Sequence, residues 1–302
     1  MQAMQNSLNN AQTLKLRQSA IAALPPLRDI ICKFDLCAQK SLGQNFLLDM
    51  NVTDKIVSEA MYRDGGSWEG VHLFEIGPGP GGLTRSLLKS DAQHVTAIEF
   101  DSRAIEALGS LVTASQGNLT LMAGDALECD ISSFDYAPKV IVANLPYNIA
   151  TPLLIGWLKD IRRDVAVYRS MSLMFQKEVA QRIVAKPGTR SYGRLSVMAQ
   201  WLCRVERLYD LPARAFTPPP KVDSCVVYFS PRQELQNDEP SFAALESIVA
   251  SAFNQRRKMI RSSLKNYMPA LKALDIDVQK RAENLTVGEF VAISSFCEEN
   301  LF

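Results

Sequence analysis

The chain has 302 residues, 47% of them hydrophobic, enough to bury the core of one large domain and of a smaller one beside it. Its 33 basic and 32 acidic residues leave a net charge of +1, so no global field draws in a polyanion and any nucleic-acid surface must be a local patch. Six cysteines without a Cys-x-x-Cys pair, and only two histidines, His72 and His94, fit neither a zinc site nor a disulfide framework nor a Ser-His hydrolase, so reduced thiols and no metal are expected.

Residues 1–24 are rich in Gln, Asn and Ser and free of acids, and this composition predicts a disordered polar leader rather than a transit peptide. Pro25-Pro26 starts a lead-in that runs through Lys40 to Leu47. From Val71 a strand and helix rhythm sets in. Val71 to Ile76, Val95 to Phe100, Leu119 to Ala123, Val140 to Ala143 and Ser172 to Phe175 read as strands, with helices between them. That alternation implies an α/β fold with a mostly parallel sheet covered on both faces. Val205 to Leu208 and Ser224 to Phe229 flank a proline-rich loop and are expected to close the sheet as an antiparallel pair. After Pro231 only helical periods remain, such as Phe242, Leu245, Ile248, Val249 and Ala252, so a small all-helical domain is expected from residue 233 to 302. No run approaches the roughly 18 apolar residues of a membrane span, and a soluble protein is expected.

Glu75-Ile76-Gly77-Pro78-Gly79-Pro80-Gly81-Gly82 sits where the first strand turns into a helix, so backbone can approach a ligand at the carboxyl edge of the sheet. Gly77, Gly79 and Gly82 also satisfy the dinucleotide pattern, and Glu99 at the tip of the second strand suits any ribose diol. Two features point away from a nicotinamide cofactor and toward S-adenosylmethionine. Asp125, after the third strand, is placed to accept from an adenine amino group. Asn144-Leu145-Pro146-Tyr147, after the fourth, supplies an amide, a fixed turn and a ring, the parts needed to grip a flat amino-bearing base.

Adenine N6 is a poor nucleophile because its lone pair is delocalised into the ring. Asn144 Oδ1 and the Leu145 carbonyl are candidate acceptors for the two N6 hydrogens, Pro146 fixes the turn, Tyr147 offers one stacking face and Phe216, from the proline loop, the other. Arg256, Arg257, Lys258, Arg261 and Lys265 form a run without acids, and Arg257, Arg261 and Lys265 repeat every four positions as one helical face would. Lys221, Arg190 and Arg194 are candidates to extend this patch toward RNA.

The sequence resembles the small-subunit ribosomal RNA adenine dimethyltransferases. The matching motifs are Ser41-Leu42-Gly43-Gln44-Asn45-Phe46-Leu47, the glycine turn, Asn144 to Tyr147, Gln176 to Val179, Tyr192 to Val197, Phe216 to Ser224 and Asn254 to Lys258, leaving only the leader before Pro25 outside. The resemblance implies a Rossmann-like class I methyltransferase domain over residues 25–232 and an RNA-contacting helical domain over 233–302. It also implies that Asn45, Leu47 and Gly79 contact the cofactor, Gly77 underlies its methionine portion, Glu99 holds the ribose, Asp125 and Ala126 hold the adenine, and Asn144 is shared with the target. The implied reaction dimethylates N6 of two adjacent adenines near the 3′ end of small-subunit rRNA, by a cytoplasmic monomer acting on a pre-30S particle. Three rivals stay open: a large-subunit methylase of the macrolide-resistance type, a binding-only assembly or transcription factor, and a nicotinamide dehydrogenase.

Overall fold

A computed structural model of the chain describes residues 2–36, 45–136, 138–234 and 239–300, with side chains from residue 11 onward. Cys37 and Ser41 to Gln44 of the first matching motif lie outside the described residues. The chain opens with α1 (Gln2–Ala22), α2 (Leu27–Lys33), β1 (Phe46–Leu47) and α3 (Met50–Arg63). The expected alternation follows as β2 (His72–Ile76), α4 (Gly82–Leu88), β3 (His94–Glu99), α5 (Ser102–Ala107), α6 (Gly109–Ala114), β4 (Leu119–Ala123), β5 (Lys139–Ala143), α7 (Ala150–Arg163) and β6 (Ser170–Gln176). Then come α8 (Lys177–Ile183), α9 (Arg194–Leu202), β7 (Cys203–Leu211), β8 (Phe216–Thr217) and β9 (Ser224–Pro231). The chain ends in α10 (Phe242–Asn254), α11 (Ile260–Ser263), α12 (Met268–Ala273) and α13 (Val287–Asn300).

Seven strands form one sheet in the order β4-β3-β2-β5-β6-β9-β7. The pairs β2–β3, β3–β4, β2–β5 and β5–β6 are parallel. Every residue of β2 and of β5 is buried, which is why these strands read as continuous apolar runs instead of alternating ones. Lys177 N at the end of β6 donates to Asp223 O at the start of β9 over 2.9 Å, so β9 runs against β6. Arg232 N at the end of β9 donates to Leu202 O before β7 over 2.9 Å, so β9 also runs against β7, the pair expected from the sequence. The connection order reverses between β2 and β5, which opens a crevice at the carboxyl ends of these strands. Beneath it Trp68, Val71, Leu73, Leu87, Val95, Val140 and Val142 belong to one buried cluster, each large side chain contributing about 1.5–3 kcal/mol.

Two expectations are corrected. The leader is not a free tail, because residues 2–22 are helical and the end of α1 docks on α4. Arg17 Nε and Nη2 donate to the carbonyls of Leu88 (2.7 Å) and Ser90 (2.9 Å), and Gln18 Nε2 donates to Lys89 O (2.7 Å). These are the orphan acceptors at the carboxyl end of a helix, where the helix dipole favours a cation, and Ile21 adds a buried side chain. Nor does the chain divide once at residue 232. One compact unit holds residues 1–154, 167–177 and 208–228, and the second holds 155–166, 178–207 and 229–302. Within the second unit α10 buries the predicted stripe of Phe242, Leu245, Ile248, Val249 and Ala252. Its Phe253 meets Tyr192 and Phe290 at ring distances of 6.0 and 5.8 Å, so the terminal helices need α9 and the segment before it to complete their core.

Candidate active site

The ends of β2, β3, β4 and β5, with the lead-in around β1, enclose a cleft of about 1070 Å³ measured out to its open mouth. Gly77 and Gly79 line its floor with φ of +66° and +53°. A Cβ on Gly79 would sit 2.9 Å from the Phe46 ring, and one on Gly82 only 2.3 Å from the Leu47 carbonyl oxygen. The glycine turn and the lead-in therefore close against each other without room for a side chain between them.

Glu99 is buried at the tip of β3. Its Oε2 accepts from Gly79 N (3.0 Å) and its Oε1 from Phe100 N (2.8 Å) and Asp101 N (2.9 Å), which fixes the carboxylate in the cleft lining. Burial raises its pKa against the lowering effect of those three donors. Asp125 Oδ1 accepts from Leu127 N at 2.9 Å, which sets the rotamer and leaves Oδ2 to a ligand amino group.

Asn144 follows β5, and its Nδ2 donates to Asn45 O over 3.1 Å. With the amide nitrogen committed to that carbonyl, Oδ1 remains as an acceptor toward the cleft. Leu145 is buried and anchors the turn, while the Pro146 ring lies 3.5 Å from where a Gly77 Cβ would be. The half-buried Tyr147 reaches Ser224 through a hydroxyl contact of 2.6 Å, and burial raises its phenol pKa.

Asn45, Leu47, Gly77, Gly79, Glu99, Asp125 and Asn144 to Tyr147 all line this one cleft, Gly77, Glu99, Asp125 and Asn144 from successive strand ends and Asn45 and Leu47 from the lead-in. Two candidates do not. Ala126 is absent from the lining, and Phe216, 2% exposed, belongs to the buried cluster. Phe216 pairs through β8 with Leu47 of β1, and that pairing turns its ring into the core instead of toward a base.

Among the lining residues to which the sequence reading gives no site role are Glu75, Phe100 and Asp101. Glu75 is fully buried, and its Oε2 has no hydrogen-bond partner. Burial drives its pKa to about 8, the nearby Thr84 hydroxyl offsets this only in part, and the Glu99 charge adds to it. The signal was a carboxylate inside the apolar run His72 to Ile76, a placement that only a partner or a ligand sustains. Phe100 presents a ring that is 66% exposed at the mouth, directly after Glu99. An orphaned buried carboxyl suits an ammonium group, Glu99 a diol, Asp125 an amino group and Phe100 a flat ring. Together these match the functional groups of S-adenosylmethionine. His72 and His94 lie at the opposite edge of the sheet, at the amino ends of β2 and β3, with burial holding His72 at about 4.

The expected basic helical face does not form. Helix α10 ends at Asn254, α11 has only four residues, and the amides of Ile260 and Arg261 donate to the carbonyls of Lys280 (2.8 Å) and Val278 (3.1 Å). Arg257, Lys258, Arg261, Lys265, Arg190 and Arg194 are exposed in the helical unit, and Lys221 is exposed in the other. Arg256 instead pairs its Nε with Glu283 at 2.9 Å and donates to the Arg190 carbonyl, which commits it to packing.

The family profile of ribosomal RNA adenine dimethylase matches residues 36–299. The ribosomal RNA small subunit methyltransferase A of Rhodospirillum rubrum is 48% identical over 275 residues, 90% of this chain and 92% of that protein. Its counterpart from Brucella abortus biovar 1 is 50% identical over 283 residues, 92% of this chain and 99% of the other. A dimethyladenosine transferase structure from Plasmodium falciparum aligns with a TM-score of 0.68 at 26% identity, over 82% of this chain and 96% of that one. The structure of 23S rRNA methyltransferase ErmE shares the fold, with a TM-score of 0.62 at 24% identity over 83% of this chain and 98% of its own. With that match over most of its length, the chain belongs to the ribosomal RNA adenine dimethylase family, enzymes that transfer methyl groups from S-adenosylmethionine to adenine.

Proposed function

We propose that the chain dimethylates N6 of two adjacent adenines near the 3′ end of small-subunit ribosomal RNA, acting on a pre-30S particle. The observation that carries this reading is the Asn144 amide in the cleft lining, whose nitrogen donates to Asn45 O and so leaves its oxygen as an acceptor. The small-subunit substrate named for relatives 48% and 50% identical supports the choice of RNA. A cytoplasmic site of action follows from that substrate.

S-adenosylmethionine supplies an electrophilic methyl group. Glu75, Glu99 and Asp125 would hold its ammonium, ribose and adenine groups. Asn144 Oδ1 and the Leu145 carbonyl accept the two N6 hydrogens and draw the nitrogen from planar toward tetrahedral, which frees its lone pair. Tyr147 supports one face of the base. The proton is lost to solvent from the alkylated, cationic nitrogen, so no side-chain base is required and rate comes from positioning. Exposed Arg257, Lys258, Arg261 and Lys265 give the helical unit phosphate contacts that orient RNA without reading its sequence.

The test is Asn144→Ala, assayed with labelled cofactor on assembled pre-30S particles. It is expected to lower kcat about 100- to 1000-fold while the fold is retained. Turnover near that of the wild type refutes the assignment.

A further inference from the structure

The motif from Phe216 to Ser224 reaches the active site at its far end. Its aromatic residue is buried, but Ser224 Oγ lies 2.6 Å from the Tyr147 hydroxyl, a contact between residues 77 apart in sequence. We infer that Ser224 is a positioning residue for methyl transfer, holding the Tyr147 ring at the angle the target base stacks upon.

Ser224 is suited to this role by how firmly its own backbone is set. It opens β9, a strand buried along nearly its whole length, and is itself 0% exposed. The preceding residue is tied twice: the Asp223 carbonyl accepts from Lys177 N at 2.9 Å, and Asp223 Oδ1 accepts from Ala213 N at 3.0 Å. Because β9 runs against β6, its first residue lies at the same edge of the sheet as the carboxyl ends of the parallel strands. The Tyr147 side chain therefore spans β6 to reach it, which braces the turn from Asn144 to Tyr147 at its second end. The first end is braced by Asn144 on Asn45.

A tyrosine fixed only at Cα and Cβ turns freely about two side-chain bonds. Anchoring the phenol oxygen as well leaves one ring plane. Hydrogen bonding thus constrains the ring without either hydroxyl touching the reacting nitrogen. The inference rests on the proposed base-gripping role of the turn.

The experiment is a double-mutant cycle on the full chain with Ser224→Ala, Tyr147→Phe and the pair, measured on assembled pre-30S particles. Each single change removes one partner and is expected to lower kcat about three- to tenfold, the effect of one neutral hydrogen bond. The cofactor Kd and the particle KM are expected to stay within about twofold, because the constraint acts on ring angle rather than on binding. The double variant is expected to be no worse than either single one. Additive losses in the double variant overturn the inference, as does wild-type kcat in Ser224→Ala. Absence of methyl transfer by the wild type itself would count against the proposed function instead, so the two failures are distinguishable. Tyr147→Phe keeps the cycle decisive should Ser224→Ala fold poorly, since equal kcat for Phe and Tyr at position 147 also overturns it.

Discussion

Replacing Gly82 with alanine sets a local preference against a packing clash. Gly82 opens α4, where alanine in place of glycine ordinarily stabilises by about 0.5–1 kcal/mol. Here the new Cβ would lie 2.3 Å from the Leu47 carbonyl oxygen, whereas ordinary contacts begin at 3.4 Å, so the two backbones must part by 1.1 Å (3.4 − 2.3). Forcing a group into a filled space costs about 1–3 kcal/mol, which reverses the sign, and a net loss of about 1–2 kcal/mol is expected. For a chain of this size that lowers Tm by roughly 2–6 °C. The functional effect should exceed the stability effect, because Leu47 stands two residues from Asn45, whose carbonyl orients Asn144. A shift of about 1 Å there is expected to cost about 100-fold in turnover. Thermal melts and methyl-transfer assays read both quantities. Gly156→Ala serves as the control, since nothing lies within 4 Å of its added Cβ on the exposed side of α7, and its Tm should rise with activity unchanged. A Gly82→Ala protein that melts above the wild type and turns over normally refutes the reasoning.

Glu75→Gln tests the buried carboxyl. Its folded pKa of about 8 lies above the ordinary 4.5, so between these values the folded chain keeps a proton that the unfolded chain has released. Stability of the cofactor-free protein is then fully present below pH 4.5, falls as pH rises toward 8 and levels beyond it. Glutamine, never charged, is expected to flatten this profile in melts across that window, and an unaltered profile refutes the burial argument. Arg17→Ala removes two hydrogen bonds from a cation that is 6% exposed, and should cost about 1.5–3 kcal/mol. Faster hydrogen exchange in residues 15–22 and at the end of α4 checks it, and unchanged protection there refutes the docking of α1. Arg257→Ala should weaken binding to RNA and lower the slope of log K against log salt by about 0.7. Arg256→Ala should lower the stability of the helical unit through loss of its Glu283 partner. Equal salt slopes for the wild type and Arg257→Ala would remove Arg257 from the RNA surface.

What the sequence makes legible here is what strand periodicity alone determines. Gly77, Glu99, Asp125 and Asn144 each close a strand, and a parallel sheet carries the ends of neighbouring strands to one edge, so four local patterns suffice to assemble a cleft. Glu75 shows the boundary of that logic: the same run that announces a strand conceals that one of its residues points into the cleft. Residues whose meaning depends on a distant partner are misread or missed. Phe216 looks like a base-stacking ring until β8 pairs with Leu47, and Ser224 looks like a strand end until Tyr147 arrives from 77 residues away. Arg256 and Arg257 make the point most sharply. Charge pattern gives two adjacent arginines in one acid-free run the same role, yet Glu283, 27 residues downstream, engages the first and leaves the second exposed. Local charge density therefore overstates the phosphate-contacting surface by the number of cations that tertiary partners neutralise, and only the exposed remainder should appear in the salt dependence of RNA binding.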